Sequence, residues 1–116
     1  MGMLTTHVLD TYHGVPAAGV DVELTRLGPD SASIARKRTN AEGRCDGPLL
    51  SGETMRAGEY ELAFDLASYF RAKGVALPHP PFLSTVVIRI GIADAAAHYH
   101  VPLLASPWSY STYRGS

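Results

Sequence analysis

Cysteine is nearly absent from this chain of 116 residues. Cys45 stands alone, so no disulfide can close within the chain. A reducing compartment is the corresponding expectation. An excess of charge of one sign is also missing: 10 Lys and Arg face 11 Asp and Glu, a net of -1. That balance excludes the concentrated basic face that nucleic acid or an anionic membrane requires. No apolar run is long enough to span a bilayer. Residues 1–7 carry no basic region followed by an apolar core, so no signal peptide is expected. The ending Arg114-Gly115-Ser116 is not the usual peroxisomal signal. The sequence also lacks a Gly-x-Ser-x-Gly elbow, a phosphate-binding loop, an internal repeat and any low-complexity segment. The expectation is a soluble cytoplasmic protein with neither a nucleic-acid nor a membrane partner.

What is present reads as one domain over residues 1–116. Hydrophobic residues make up 46% and charged residues 18%, too apolar for disorder. A chain of this size buries roughly two thirds of its unfolded surface, enough for one core without staples. The hydrophobic pattern has a period of two. Val20, Val22 and Leu24 alternate with Asp21, Glu23 and Thr25; Tyr60, Leu62 and Phe64 alternate with Glu59, Glu61 and Asp65. Val86, Ile88, Ile90 and Ile92 line one face of a longer strand. Strands over 4–9, 33–39, 98–104 and 109–114 complete a set of about eight.

Turn chemistry separates these strands. Tyr12-His13-Gly14-Val15-Pro16, Asn40-Ala41-Glu42-Gly43, Ser51-Gly52-Glu53 and Ala57-Gly58 all carry reversal residues. One helix is predicted over 66–73, with Gly74 as its stop. Residues 77–82 hold three prolines and form an extended loop. An all-β sandwich of two sheets with one short helix follows.

The tail is the most informative stretch. Most termini are disordered and dispensable, yet residues 110–116 carry Tyr110, Tyr113, Arg114, Gly115 and Ser116 directly after strand-forming residues. Just upstream, His98-Tyr99-His100 places two imidazoles on one strand face by alternation. Leu104 shares that face, so part of it is buried, and each neutral ring then needs a partner. His7 lies in the first strand, where a lone histidine is ordinarily a hydrogen-bonded structural residue. Arg44 closes the 40–43 turn; such a residue is ordinarily solvated, or it grips a planar anion or carbonyl through its donor fork. Cys45 has no local signature of a nucleophile and reads as an idle thiol. Zinc competes for the histidines, since three of them plus a carboxylate could hold it. Against it, no His-x-x-x-His or Glu-x-x-His is present, and the nearby carboxylates, Asp94 and Asp10, fall in turns without ligand spacing.

Five segments together resemble the 5-hydroxyisourate hydrolases, the transthyretin-related proteins. They are Leu4-Thr5-Thr6-His7-Val8-Leu9-Asp10, Thr39-Asn40-Ala41-Glu42-Gly43-Arg44, His98-Tyr99-His100-Val101-Pro102-Leu103-Leu104, Ser106-Pro107-Trp108-Ser109-Tyr110 and the terminal Tyr113-Arg114-Gly115-Ser116. The resemblance covers essentially the whole chain. Ala95 and Ala105 depart from the family's usual proline and leucine. The resemblance implies a transthyretin-like two-sheet sandwich, assembled as a homotetramer with its sites at the dimer–dimer interface. It implies hydrolytic ring opening of 5-hydroxyisourate, a purine-derived small molecule, with no metal and no organic cofactor. Carried over residue by residue, His7, Arg44 and His100 are the catalytic set. His7, Arg44, Tyr113 and Ser116 bind substrate, while His98, Arg114 and Gly115 support them. Which histidine is the base stays open at this level, as does whether His98 touches substrate. The alternative is a carrier on the same fold without catalysis.

Overall fold

The computed structural model describes residues 2–115. The described residues form nine strands and one α-helix, with a single 3₁₀ turn over Gly52–Thr54. The strands are β1 (Met3–Asp10), β2 (Val15–Pro16), β3 (Asp21–Arg26), β4 (Ala32–Arg38), β5 (Leu50–Ser51), β6 (Gly58–Asp65), β7 (Thr85–Ile92), β8 (His98–Ala105) and β9 (Tyr110–Thr112); helix α1 is Leu66–Ala72. One sheet runs β2-β1-β8-β9, with β5 also pairing β1, and the other runs β4-β3-β6-β7. The two-residue strands β2 and β5 lie in segments that the sequence pattern assigns to turns. Each is a brief antiparallel pairing onto β1, too short to show a period.

The alternation seen in the sequence becomes the two faces of each sheet. Leu4 and Val8 of β1, Val22 and Leu24 of β3, Tyr60, Leu62 and Phe64 of β6, and Leu103 of β8 meet between the sheets and are buried. The outward positions of β1 are Met3, Thr5, His7 and Leu9, all half-buried. The β1–β8 pairing is parallel, with Met3 opposite His98, Thr5 opposite His100 and His7 opposite Pro102. Paired residues in a sheet share a face, so Thr5, His7, His98 and His100 all stand on the outer surface of this sheet.

At seven residues, α1 is too short to be stable alone. Asp65 caps it, accepting from the Ser68 N–H at 3.2 Å and the Ser68 hydroxyl at 2.7 Å. Gly74 follows its end with φ +85°, the left-handed conformation that glycine adopts without strain. Leu66, Ala67, Tyr69 and Phe70 bury its inner face. No helix of the described residues is long and apolar enough to cross a membrane.

Asp10, assigned to a turn by the sequence pattern, instead closes β1 and is buried. It ties three elements together. Its Oδ1 accepts from the backbone N–H groups of Tyr12 and His13 at 3.0 and 2.9 Å. Its Oδ2 accepts from the Tyr69 hydroxyl at 2.7 Å and meets His13 Nδ1 at 2.6 Å. Burial alone would push this carboxyl up. The His13 backbone N–H, the Tyr69 hydroxyl and the His13 ring outweigh burial and hold it below its ordinary value. A carboxyl depressed by folding stabilises the native state above its unfolded pKa, and that contribution is lost as pH falls through the lower folded value. Replacing Tyr69 by Phe removes one donor from a buried oxygen and is expected to cost about 1–3 kcal/mol in urea unfolding at neutral pH. The cost should shrink as pH falls through the acid range. An unchanged midpoint at neutral pH would show that the hydroxyl contributes nothing.

Candidate functional site

The outer face of the β1–β8 sheet carries a cleft of about 440 Å³ lined by Thr5, Arg44, Cys45, His98 and His100, among others. Three separate pieces of chain meet there. β1 contributes Thr5, and His7 stands two residues further along the same face. β8 contributes the two histidines, whose ring centroids are 6.2 Å apart. The 40–44 turn contributes Arg44, which forms an antiparallel bridge with His7.

That turn is built by Asn40. Its backbone N–H donates to the Arg44 carbonyl at 2.7 Å, and its side-chain oxygen accepts from the N–H groups of Glu42 and Arg44. Gly43 sits at φ +78°, and its carbonyl accepts from the Val8 N–H at 2.8 Å. A Cβ at this position would lie 2.3 Å from the Val8 carbonyl oxygen. Glycine is therefore required twice over, by conformation and by space, for the turn to dock on β1 and deliver Arg44 beside His7.

His7 has its tautomer dictated. Its Nε2 lies 2.8 Å from the Glu42 carbonyl oxygen. A carbonyl only accepts, so Nε2 carries the proton and Nδ1 is bare whenever the ring is neutral. His7 does not line the cleft itself, but it is near enough to act electrostatically on His100. The His100 ring is held on two sides: Nδ1 meets the Thr5 hydroxyl at 2.7 Å, and Gly115 covers its Cδ2 edge. The Gly115 N–H donates to the His100 carbonyl at 2.7 Å. A Cβ on residue 115 would come within 2.7 Å of His100 Cδ2. Burial lowers the His100 pKa, and the charges of Arg44, His98 and His7 lower it further.

The tail thus docks, as the sequence suggests, but its members part company. Arg114 stacks its guanidinium 4.0 Å above the Tyr99 ring and reaches the His98 carbonyl at 3.3 Å. Tyr113 is exposed and lines a different groove, with Ile88, Ile90 and Tyr99. Within one chain it does not join the histidines. Ser116 lies outside the described residues. Sequence reasoning passed over Thr5, because a strand threonine carries no signal until its neighbours across the ladder are known. Burial pushes the Cys45 thiol up, away from the reactive thiolate, so its place in the cleft wall is passive.

Among the described residues no group of three or more His, Cys, Asp and Glu side chains gathers as a metal would need. A larger groove, about 620 Å³, lies on the outer face of the other sheet. Most of its charges are already engaged, Arg38 with Asp21, Arg36 with Glu23, Lys37 with the Asp46 carbonyl and Asp65 with Ser68, leaving little to recognise a ligand. The histidine cleft is different: Arg44 makes no ion pair among the described residues, and no carboxylate lines the cleft.

Two packed sheets with one short helix, and a basic cluster on one outer face, define a transthyretin-type β-sandwich. The profile of the HIUase/Transthyretin family matches residues 4–115, and the chain belongs to that family. It is 58% identical over 117 aligned positions to the 5-hydroxyisourate hydrolase of Pseudomonas aeruginosa, covering 100% of this chain and 93% of that protein. Among solved structures, it superposes on (S)-allantoin synthase with a TM-score of 0.94 at 46% identity, covering 99% of this chain but 44% of that one. It superposes on sea bream transthyretin in complex with thyroxine with a TM-score of 0.86 at 28% identity, covering 97% and 93%.

Substituting Arg44 by Gln removes a cation facing His100. The His100 pKa is then expected to rise toward that of a free imidazole in an NMR titration. A value that stays put would mean that burial sets it without help from the guanidinium.

Proposed function

We propose that this chain hydrolyses 5-hydroxyisourate. Water adds to a ring carbonyl, the amide C–N bond breaks, and 2-oxo-4-hydroxy-4-carboxy-5-ureidoimidazoline is formed. The observation that carries this reading is the meeting of two tautomer-restrained imidazoles and a guanidinium with no ion pair among the described residues on one outer sheet face, drawn from β1, the 40–44 turn and β8. A carrier needs an apolar slot and has no use for bases beside a cation. The high identity to a named hydrolase supports the same reading.

His100 is the proposed general base. Its depressed pKa keeps it neutral at working pH, and a positioned histidine base contributes about 10²–10⁴-fold. His7, with Nε2–H anchored on Glu42, offers its bare Nδ1 to hold the second proton of the attacking water. Arg44 binds the planar anionic substrate and offsets charge growing on the carbonyl oxygen. His98 supports His100, and Arg114 and Gly115 hold the tail in place. Tyr113 and Ser116 complete the pocket from the tail.

Because Tyr113 points away from the histidines of its own chain, its contribution is assigned to the assembly: a homotetramer with sites at the dimer–dimer interface. The exposed rings of Trp108, Tyr110 and Tyr113 around the short edge strand β9 support association. The 116 residues are taken as one domain, acting without metal or cofactor. The lone Cys45 suits the reducing cytoplasm.

The test is to generate 5-hydroxyisourate in place from urate with urate oxidase and follow its ultraviolet decay. The protein should accelerate the decay, and prior treatment with a chelator should leave the rate unchanged. His7→Asn and His100→Asn should each keep the β-rich circular dichroism spectrum and lose at least about tenfold in kcat, the low end of general-base catalysis or below. Removing residues 113–116 should abolish turnover in a chain that still folds. Parental rates in either histidine variant would remove that residue from the mechanism.

A further inference from the structure

Thr5 faces His100 across the parallel β1–β8 ladder. Its Oγ1 lies 2.7 Å from His100 Nδ1 and 2.9 Å from His98 Nε2. A hydroxyl carries a single proton. Two ring nitrogens that share one hydroxyl therefore cannot both be bare: at least one supplies an N–H of its own, and where the hydroxyl proton lies between the rings the other accepts it. The tautomers of the two histidines are locked to each other through this oxygen.

With the hydroxyl proton between the rings, the lock has two directions. In one, His100 Nδ1–H donates to Thr5, Thr5 donates to His98 Nε2, and His100 Nε2 is left bare. In the other, His98 Nε2–H donates to Thr5, Thr5 donates to His100 Nδ1, and Nε2 of neutral His100 carries the proton. Only the first presents a base at Nε2, an atom with no hydrogen-bond partner among the described residues. The second presents an acid at the same atom.

We propose that Thr5 is a positioning residue that connects His100 to His98 as a proton relay, so that the half-buried base takes up a proton while the positive charge comes to rest on the exposed ring. The step balances. A water proton arrives at His100 Nε2, and the Nδ1 proton of His100 passes to Thr5 Oγ1. The hydroxyl's own proton moves to His98 Nε2. His100 and Thr5 end neutral, and His98 ends as the imidazolium, which returns its extra proton to solvent. The direction is favourable on the geometry. His98 is exposed, whereas His100 is half-buried and feels the Arg44 charge. Moving a charge from low to high dielectric lowers its energy. The gain is greatest when water attacks, since an imidazolium at His100 would otherwise form beside a guanidinium.

This inference rests on the hydrolase reading, but its test separates the two. Thr5→Val keeps the shape and removes the hydroxyl; Thr5→Ser restores it. ¹⁵N-resolved NMR of the ligand-free parent should show a pyrrole-type Nδ1 and a pyridine-type Nε2 on His100. In Thr5→Val that preference should be lost. In the hydrolysis assay, Thr5→Val should lower kcat by about tenfold or more, with KM little changed and an altered pH profile, and Thr5→Ser should recover most of it. A pyridine-type Nδ1 on parental His100, or a Thr5→Val enzyme with parental kcat and pH profile, would overturn the relay. If Thr5→Val fails to fold, the parental spectrum and Thr5→Ser decide: Thr5→Ser with tautomer and kcat unchanged supports the relay, and loss of either overturns it. A parent that leaves 5-hydroxyisourate untouched would sink the hydrolase reading alone, because the ring tautomers are read without substrate.

Discussion

The parallel pairing of β1 with β8 fixes where every proposed functional group stands. Eight consecutive residues of each strand are in register, from Met3 opposite His98 to Asp10 opposite Ala105. The strands are separated by most of the chain, and all the strands of the second sheet lie between them. Closing so long a connection is entropically costly and slow, so the register must be strongly specified. Burial specifies it. A one-residue slip of β1 would turn Leu4 and Val8 outward and drive His7 into the core. The forces that keep leucine and valine inside thus also hold Thr5, His7, His98 and His100 on one surface, and the site costs the core little beyond the packing it already needs.

The remaining parts of the cleft hang from that ladder. The 40–44 turn reaches it only because Gly43 lets its backbone approach Val8 closely. The tail reaches it only because Gly115 lies flat against the His100 ring. Two glycines at two contacts bring the guanidinium and the terminus to the imidazoles. At both points the backbone is the contact surface, so a side chain there would displace the guanidinium or the imidazole rather than merely crowd it. The two outer faces of the sandwich contrast accordingly. On the second sheet, Arg36, Arg38 and Arg89 each answer a carboxylate on the neighbouring strand, and such exposed pairs contribute little beyond solubility and register. On the first sheet the imidazoles and Arg44 face a cleft that no carboxylate of the described residues lines, and charge left unanswered there sets a site apart from a surface.

Much of this was legible in the sequence. Period-two patterning marks β1, β3, β6, β7 and β8, because each buries one face and water selects the other, while β4, with no buried residue, is expected from its strand-forming residues between turns. Asp65 and Gly74 bracket α1 by capping chemistry that is local in sequence. The family resemblance marked the histidines and Arg44 and implied the sandwich in which they sit. What escaped was long-range. Strands β2 and β5 are two residues each, and β1 alone makes them strands. Asp10 looks like a turn residue because its partners, His13 and Tyr69, come from a loop and a helix that only the folded chain brings to it. Thr5 looks like any strand threonine until β8 is laid beside it.

Sea bream transthyretin, in complex with thyroxine, is built on a similar frame, so the sandwich by itself decides nothing about chemistry. Chemistry enters through proton placement. His7 is held with its proton on Nε2 by a backbone carbonyl that can only accept, and His100 shares a hydroxyl that has one proton to give. A neutral imidazole free to choose its tautomer spends part of its time presenting the wrong nitrogen to a water molecule. The carbonyl removes that choice for His7 before substrate arrives, and the shared hydroxyl ties the choice at His100 to that at His98, which is preorganisation of the kind that lowers barriers without tightening ground-state binding. A ligand-carrying channel gains nothing from such an arrangement, whereas a water-activating site depends on it.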